Sequence, residues 1–242
     1  MRGLSRSVVW VTAAIAIAVA VAAILILRPS PPINVSAVSS YNSGGLVAGP
    51  VVIASGMGLG AADPDRDIWL EISWQFFGQT RMLDSVTVGG IPAKRLVRNN
   101  DVPTSVNSEI WMLHAGTGGP LGNAASADVV YHFDGGNPSI TTQIYRVVGA
   151  SQTPSATAVG SGTVSITIPP DGAALISLIN SGTSPGALSN VAQDFRTLCG
   201  KDFLAIHAWT GSASGGPLTA TFPGGPAAAI AAVALGPTAS RK

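Results

Sequence analysis

Few side chains in this sequence are suited to catalysis or metal binding, and their spacing decides what they could do. Cys199 is the single cysteine, so neither an intramolecular disulfide nor a cysteine-based zinc site is available. Leu198, Gly200 and Lys201 flank it, and inert packing is the expected role. His114, His132 and His207 lie far apart, with no pair at metal-ligand spacing. Asp63-Pro64-Asp65-Arg66-Asp67 begins like a calcium loop, with acids at positions 1, 3 and 5. Position 6 would then be Ile68 rather than Gly, and position 12 Trp74 rather than Glu, so the EF-hand reading fails. The segment reads instead as a polar turn in which Asp bonds nearby backbone. No G-x-S-x-G elbow, P-loop or H-E-x-x-H motif occurs. The expectation is no catalytic residue, no cofactor, no metal and no enzymatic activity.

Two groups of surface-seeking residues remain. Lys94, Arg95 and Arg98 form a basic cluster, but on a strand Lys94 and Arg95 point to opposite faces. That suits a charged edge that blocks edge-to-edge pairing better than a phosphate site. The aromatics Trp69, Phe77, Trp111, Tyr131, Tyr145 and Trp209 suit a β core, with Trp69 and Trp111 as candidates for a sugar-stacking surface.

The elements that must position these residues read as strands. Ile68, Leu70, Ile72, Trp74 and Phe76 fall on one face, and Trp69, Glu71, Ser73, Gln75 and Phe77 on the other. This predicts a half-buried strand over 68–77. Residues 163–168 repeat the pattern. Residues 85–88, Gly89-Gly90 and 91–97 predict a hairpin, because paired glycines supply positive φ. Further strands are expected at 46–54, 109–114, 127–133, 140–148, 173–179, 203–209, 218–222 and 227–235, with Gly/Pro turns between them. The Ala-rich last strand implies close sheet packing, and 187–198 is read as a short helix. The expected fold is all-β: an antiparallel, jelly-roll-like β-sandwich in one domain over 46–238, with a tail at 239–242.

Ahead of it, residues 8–27 form an uncharged run of about 30 Å as a helix, enough to cross a bilayer. Val8 and Leu27 bound the span, Trp10 occupies an interfacial position, and Arg28 closes it. The span is longer than the apolar region of a cleaved signal peptide. Arg2, Arg6 and the chain amine before it favour an N-terminus on the cytoplasmic or virion-interior side. Residues 1–28 are therefore expected to be a single-pass anchor in an inner or virion membrane. Residues 29–45, rich in Pro, Ser and Gly, are expected to be a linker.

The stretch from Asp63 to Gly149 carries a resemblance. Its marks are Asp65-Arg66-Asp67-Ile68-Trp69-Leu70, Leu83-Asp84-Ser85-Val86-Thr87-Val88-Gly89-Gly90-Ile91-Pro92-Ala93, Ser108-Glu109-Ile110-Trp111, Ser126-Ala127-Asp128-Val129-Val130 and Ile144-Tyr145-Arg146-Val147-Val148-Gly149. It resembles β-sandwich virion-associated structural proteins of bacteriophages and prophages, especially of alphaproteobacteria. The resemblance implies a structural role with no active site to carry over. A membrane span departs from tailed-phage proteins and points to a virion that contains a membrane.

Composition agrees with an assembly component. Only 10% of residues are charged, against about 25% in ordinary soluble domains. A formal charge of +1 gives no basic field for nucleic acid. Without Arg2, Arg6 and Arg28 the remainder holds 10 basic and 12 acidic groups, so the scarcity of charge belongs to the β domain itself. The expected partners are the lipid bilayer, other virion structural proteins and further copies of the chain. The competing readings are a cell-envelope module that binds glycans through surface aromatics, and a tethered hydrolase, which would need His132 or His207 beside acids in one pocket.

Overall fold

Period-two apolar alternation, interrupted by Gly and Pro turns, produces antiparallel strands along the chain. The computed structural model describes residues 32–76, 81–101, 106–116, 119–182, 186–200, 202–223 and 228–238. The expected anchor, with Val8, Trp10, Leu27 and Arg28, lies outside these residues, as does the tail. Among the described residues, no helix is long and apolar enough to cross a membrane.

The first half contains β1 (Asn34–Asn42), β2 (Val51–Gly58), β3 (Arg66–Gln75), β4 (Leu83–Val88), β5 (Ile91–Pro92), β6 (Lys94–Asp101), β7 (Val106–His114), β8 (Ser126–Phe133) and β9 (Ser139–Val148). They form a five-stranded sheet, β1-β9-β3-β7-β6, and a four-stranded sheet, β2-β8-β4-β5. Ile68, Leu70, Ile72 and Trp74 of β3 meet Val86, Val88, Val129 and Tyr131 from the facing sheet, giving the first core. The β4–β5 turn is made by Gly89 (φ 57°) and Gly90 (φ 80°), as their pairing predicts.

The second half contains β10 (Ala156–Ser161), β11 (Thr163–Ile168), β12 (Gly172–Ser181), β13 (Ala192–Cys199), β14 (Phe203–Ser212), β15 (Gly216–Thr221) and β16 (Ala228–Leu235). Their sheets are β10-β16-β12-β14-β13 and β11-β15. Val164, Ile166 and Ile168 of β11 pack on Ala174, Ile176 and Leu178 of β12, giving a second core. The two five-stranded sheets then lie back to back. Trp69, Ile110, Met112, Tyr145 and Val147 meet Ala173, Leu175, Ala231, Val233 and Leu235 across this seam. Residues Pro32–Pro237 thus pack as one unit of four sheet layers.

Three expectations need correction. The linker expected at 29–45 is a strand over Asn34–Asn42, paired along β9. Val35, buried at the seam, and the free edge of β9 outweigh the polar Ser/Asn composition. The short helix expected at 187–198 is instead largely β13: the edge of β14 captures Ala192–Cys199, with a bulge between Gln193 and Phe195. Finally, β3 is buried on both faces rather than one, because the second sandwich covers its polar side. β16 is likewise buried on both faces, where alanine permits close approach of the layers.

Candidate functional site

The residues with chemical potential sort into three places. At one end of the first sandwich, Asp63 Oδ1 accepts the Asp65 N–H at 2.9 Å, and the Arg66 N–H reaches the Asp63 carbonyl at 3.2 Å. This is a turn closed on its own backbone. Asp63 also faces Arg146 at 3.4 Å, and Asp67 Oδ1 lies 2.7 Å from His114 Nδ1. Burial pushes the Asp67 carboxyl up to about 6, against the pull of His114. The buried Arg66 guanidinium donates to the carbonyls of Gly60 (3.0 Å), Ala124 (3.2 Å) and Leu121 (2.7 Å). It ties the β2–β3 connection to the β7–β8 connection. Asp63 and Asp67 therefore have separate partners, and among the described residues no group of three His, Cys, Asp or Glu could hold a metal.

The second place is the β6 rim. Arg98 donates to Glu109 and to the Leu83 carbonyl, and the Arg95 guanidinium lies 5.4 Å from the Trp111 ring centre. Trp111 Nε1 donates to Glu109 at 2.5 Å. Burial raises the Glu109 carboxyl to about 7, opposed by Arg98. Lys94 is exposed, and β6 is indeed the edge of its sheet.

Trp111 is only 3% exposed and Trp69 is 0% exposed, so neither presents a ring to a sugar. The expected stacking surface is corrected on this point: Trp111 fills the first core and Trp69 fills the seam. Tyr131 and Tyr145 are buried too. Burial raises both phenols; Tyr145 donates to Asp194 at 3.1 Å and Tyr131 to Thr142 at 2.9 Å.

The third and densest place is the seam itself. Strand alternation aims Glu71 and Ser73 of β3, Ser108 of β7 and Thr141 of β9 at Ser177 of β12 and His207 of β14. Ser73 Oγ and Ser177 Oγ are 3.2 Å apart, and each hydroxyl also donates to a carbonyl of the opposite strand: Ser73 to Leu178 (3.2 Å), Ser177 to Ile72 (3.4 Å). Ser108 donates to the Ser177 carbonyl at 2.8 Å, and Gln75 to the Cys199 carbonyl at 3.0 Å. Glu71 Oε2 accepts the Ala208 N–H at 3.2 Å and faces His207 Nδ1 at 3.3 Å. His207 stacks on Phe195 with ring centres 5.8 Å apart.

Burial determines the protonation of this pair. It holds the Glu71 carboxyl well above the usual carboxylate range and pushes His207 down to about 3. Burial thus favours the neutral form of both groups. Ser177 Oγ lies 3.4 Å from the same His207 nitrogen that faces Glu71. A nucleophile–base–acid relay needs the serine and the acid on opposite ring nitrogens. His207 does sit beside acids, but the cluster has no surface opening: Glu71, Ser177 and His207 are all 0% exposed. His114 and His132 are exposed and lie elsewhere. Cys199 is buried beside Ser139, and burial raises its thiol to about 12. Neither Ser177 nor Asp194 stood out in the sequence. The readable signal was Trp69, a large apolar residue on the same face as Glu71, Ser73 and Gln75, which indicates that this face is covered.

Comparison with known proteins is sparse. No protein-family model matches the chain, and no curated protein matches it. Among solved structures, the crystal structure of Cucumber Necrosis Virus aligns over 86% of this chain and 86% of that chain, with 8% identity and a TM-score of 0.22.

Proposed function

We propose that this chain is a membrane-anchored structural protein of a virion, whose β unit makes protein–protein contacts and performs no catalysis. The strand order of the first half carries the reading. Leaving out the edge strand β6, its sheets run β1-β9-β3-β7 and β2-β8-β4-β5. That is the order obtained when eight strands are wound as two Greek keys into a jelly roll, an architecture used by capsid and lectin domains. The inaccessible Trp69 and Trp111 favour the capsid use over the lectin use. The His207 cluster, enclosed without a surface opening, weighs against a hydrolase. The anchor over residues 8–27 supplies the membrane attachment and residues 34–238 the contacts.

The test is composition of particles. Virions released from a host carrying the gene are purified, and their proteins are identified by mass spectrometry before and after mild detergent. The chain should be present at many copies per particle and should leave with the lipid fraction. Its absence from purified particles refutes the proposal.

A further inference from the structure

The two halves of the molecule have the same topology. Pairing β1 with β10, β9 with β16, β3 with β12, β7 with β14 and β6 with β13 converts β1-β9-β3-β7-β6 into β10-β16-β12-β14-β13. Pairing β2 with β11 and β8 with β15 converts the start of the four-stranded sheet into the two-stranded one; only β4 and β5 lack counterparts. The sequence echoes this at equivalent connections. Gly118-Gly119-Pro120-Leu121 precedes β8, and Gly215-Gly216-Pro217-Leu218 opens β15. Phe133-Asp134-Gly135-Gly136-Asn137-Pro138 leads into β9, and Phe222-Pro223-Gly224-Gly225-Pro226 leads into β16.

Several contacts across the seam follow the same exchange, whereas β7 on β12 has no counterpart of similar extent. β6 lies on β10, and β1 on β13; β6 lies on β16, and β9 on β13; β7 lies on β16, and β9 on β14. β3 meets its own counterpart β12, where Ser73 and Ser177 touch. Each rim is fastened by an asparagine amide. Asn99 of β6 donates to the carbonyls of Gly160 (2.7 Å) and Ile230 (3.1 Å). Asn42 of β1 donates to Thr197 Oγ1 (2.8 Å) and the Leu198 carbonyl (3.0 Å). An interface in which element i contacts j and j's counterpart contacts i's counterpart is isologous, the form of a two-fold homodimer. Each half also has its own core, separate from the seam.

We infer that the molecule is a fused dimer: two copies of one sandwich unit, joined through a seam that is a self-sufficient interface between them. The link over residues 149–155 then serves to keep the two units paired one to one. The partner that fits the seam face of either unit is a unit of the other kind, from the same chain or from a second copy.

The test cuts the link after folding. A protease recognition sequence is inserted between Thr153 and Pro154 of the full chain, and the purified protein is cleaved in mild detergent. The two fragments should co-elute as one particle with unchanged tryptophan fluorescence, and should separate only in denaturant. Mixing heavy- and light-isotope cleaved samples at raised urea, then removing it, should give mixed pairs by native mass spectrometry. Separation, aggregation or loss of the fluorescence signal on cleavage in buffer would overturn the inference. So would recovery of only unmixed pairs after the fragments have been fully separated in urea.

Discussion

The buried Glu71–His207 pair makes a prediction that can be worked through quantitatively. Replacing Glu71 by Gln conserves volume and keeps a side-chain oxygen to accept the Ala208 N–H, which now lies 3.2 Å from Oε2, the same atom that faces His207 Nδ1. In the parent, burial makes Glu71 hold its proton to higher pH than the unfolded chain does, where the carboxyl has an ordinary pKa near 4.3. The native state therefore binds more protons than the unfolded state. Stability then falls as pH rises, from the unfolded carboxyl value up to the folded one, by about 1.4 kcal/mol per pH unit for one proton. His207 works in the other direction between about pH 3 and 6.5, because only the unfolded chain takes up its proton there. The two effects oppose each other between about pH 4.3 and 6.5, and above 6.5 only Glu71 acts. Urea unfolding followed by tryptophan fluorescence, stepped upward from about pH 5, should therefore show the parent losing stability relative to E71Q as pH rises. The slopes should differ by about 1.4 kcal/mol per unit until Glu71 has ionised in the folded parent. Parallel profiles, or a loss of several kcal/mol in E71Q at every pH, would refute the reasoning. Either would mean that Glu71 is ionised against a protonated His207.

Other outcomes follow from burial and backbone geometry. Trp69→Ala empties a fully enclosed seam position and should cost about 3–5 kcal/mol, read as a lowered urea midpoint. Gly89→Val places a β-branched residue at φ 57°, with the new Cβ 2.8 Å from Leu121 Cδ2. It should destabilise by about 1–3 kcal/mol, whereas Gly90→Asn, where the added Cβ meets open space, should cost much less. Cys199 should resist thiol reagents at pH 8 in the folded protein and react at once in urea, because its thiol is buried and raised to about 12; labelling monitored by mass spectrometry tests this. Arg66→Met leaves three carbonyls without their donor and should lower the urea midpoint while the tryptophan environment at the seam stays native.

Much of the fold was legible where one rule acted alone. Residues 163–168 alternate cleanly because only one face of β11 is covered, and Gly89-Gly90 marks its turn because little else tolerates two successive positive φ angles. Legibility failed where a second layer intervened. Glu71, Ser73 and Gln75 look like a solvent face, yet they are the polar contacts of a buried seam, and only Trp69 beside them signals the cover. β1 and β13 are rim strands whose structure comes from a partner's hydrogen-bonding edge rather than from their own composition. The duplication was hidden for a related reason. The strands of the two halves have diverged to suit different neighbours, and the echo survives mainly in the Gly-Gly-Pro-Leu and Phe-x-Gly-Gly segments of the sequence.

The alignment of the paired units has a consequence for assembly. β3 and β12 both begin near Trp69 and Ala173 and both end near Gln75, Ile179 and Cys199, so like ends of the two units lie together. The turn before β3 and the turn before β12 therefore occur at one end, and the starts of β9 and β16 at the other. A body with its two units in opposite directions would offer the same set of loops above and below. This one is vectorial: a layer built from it has an inside and an outside from the first copy laid down.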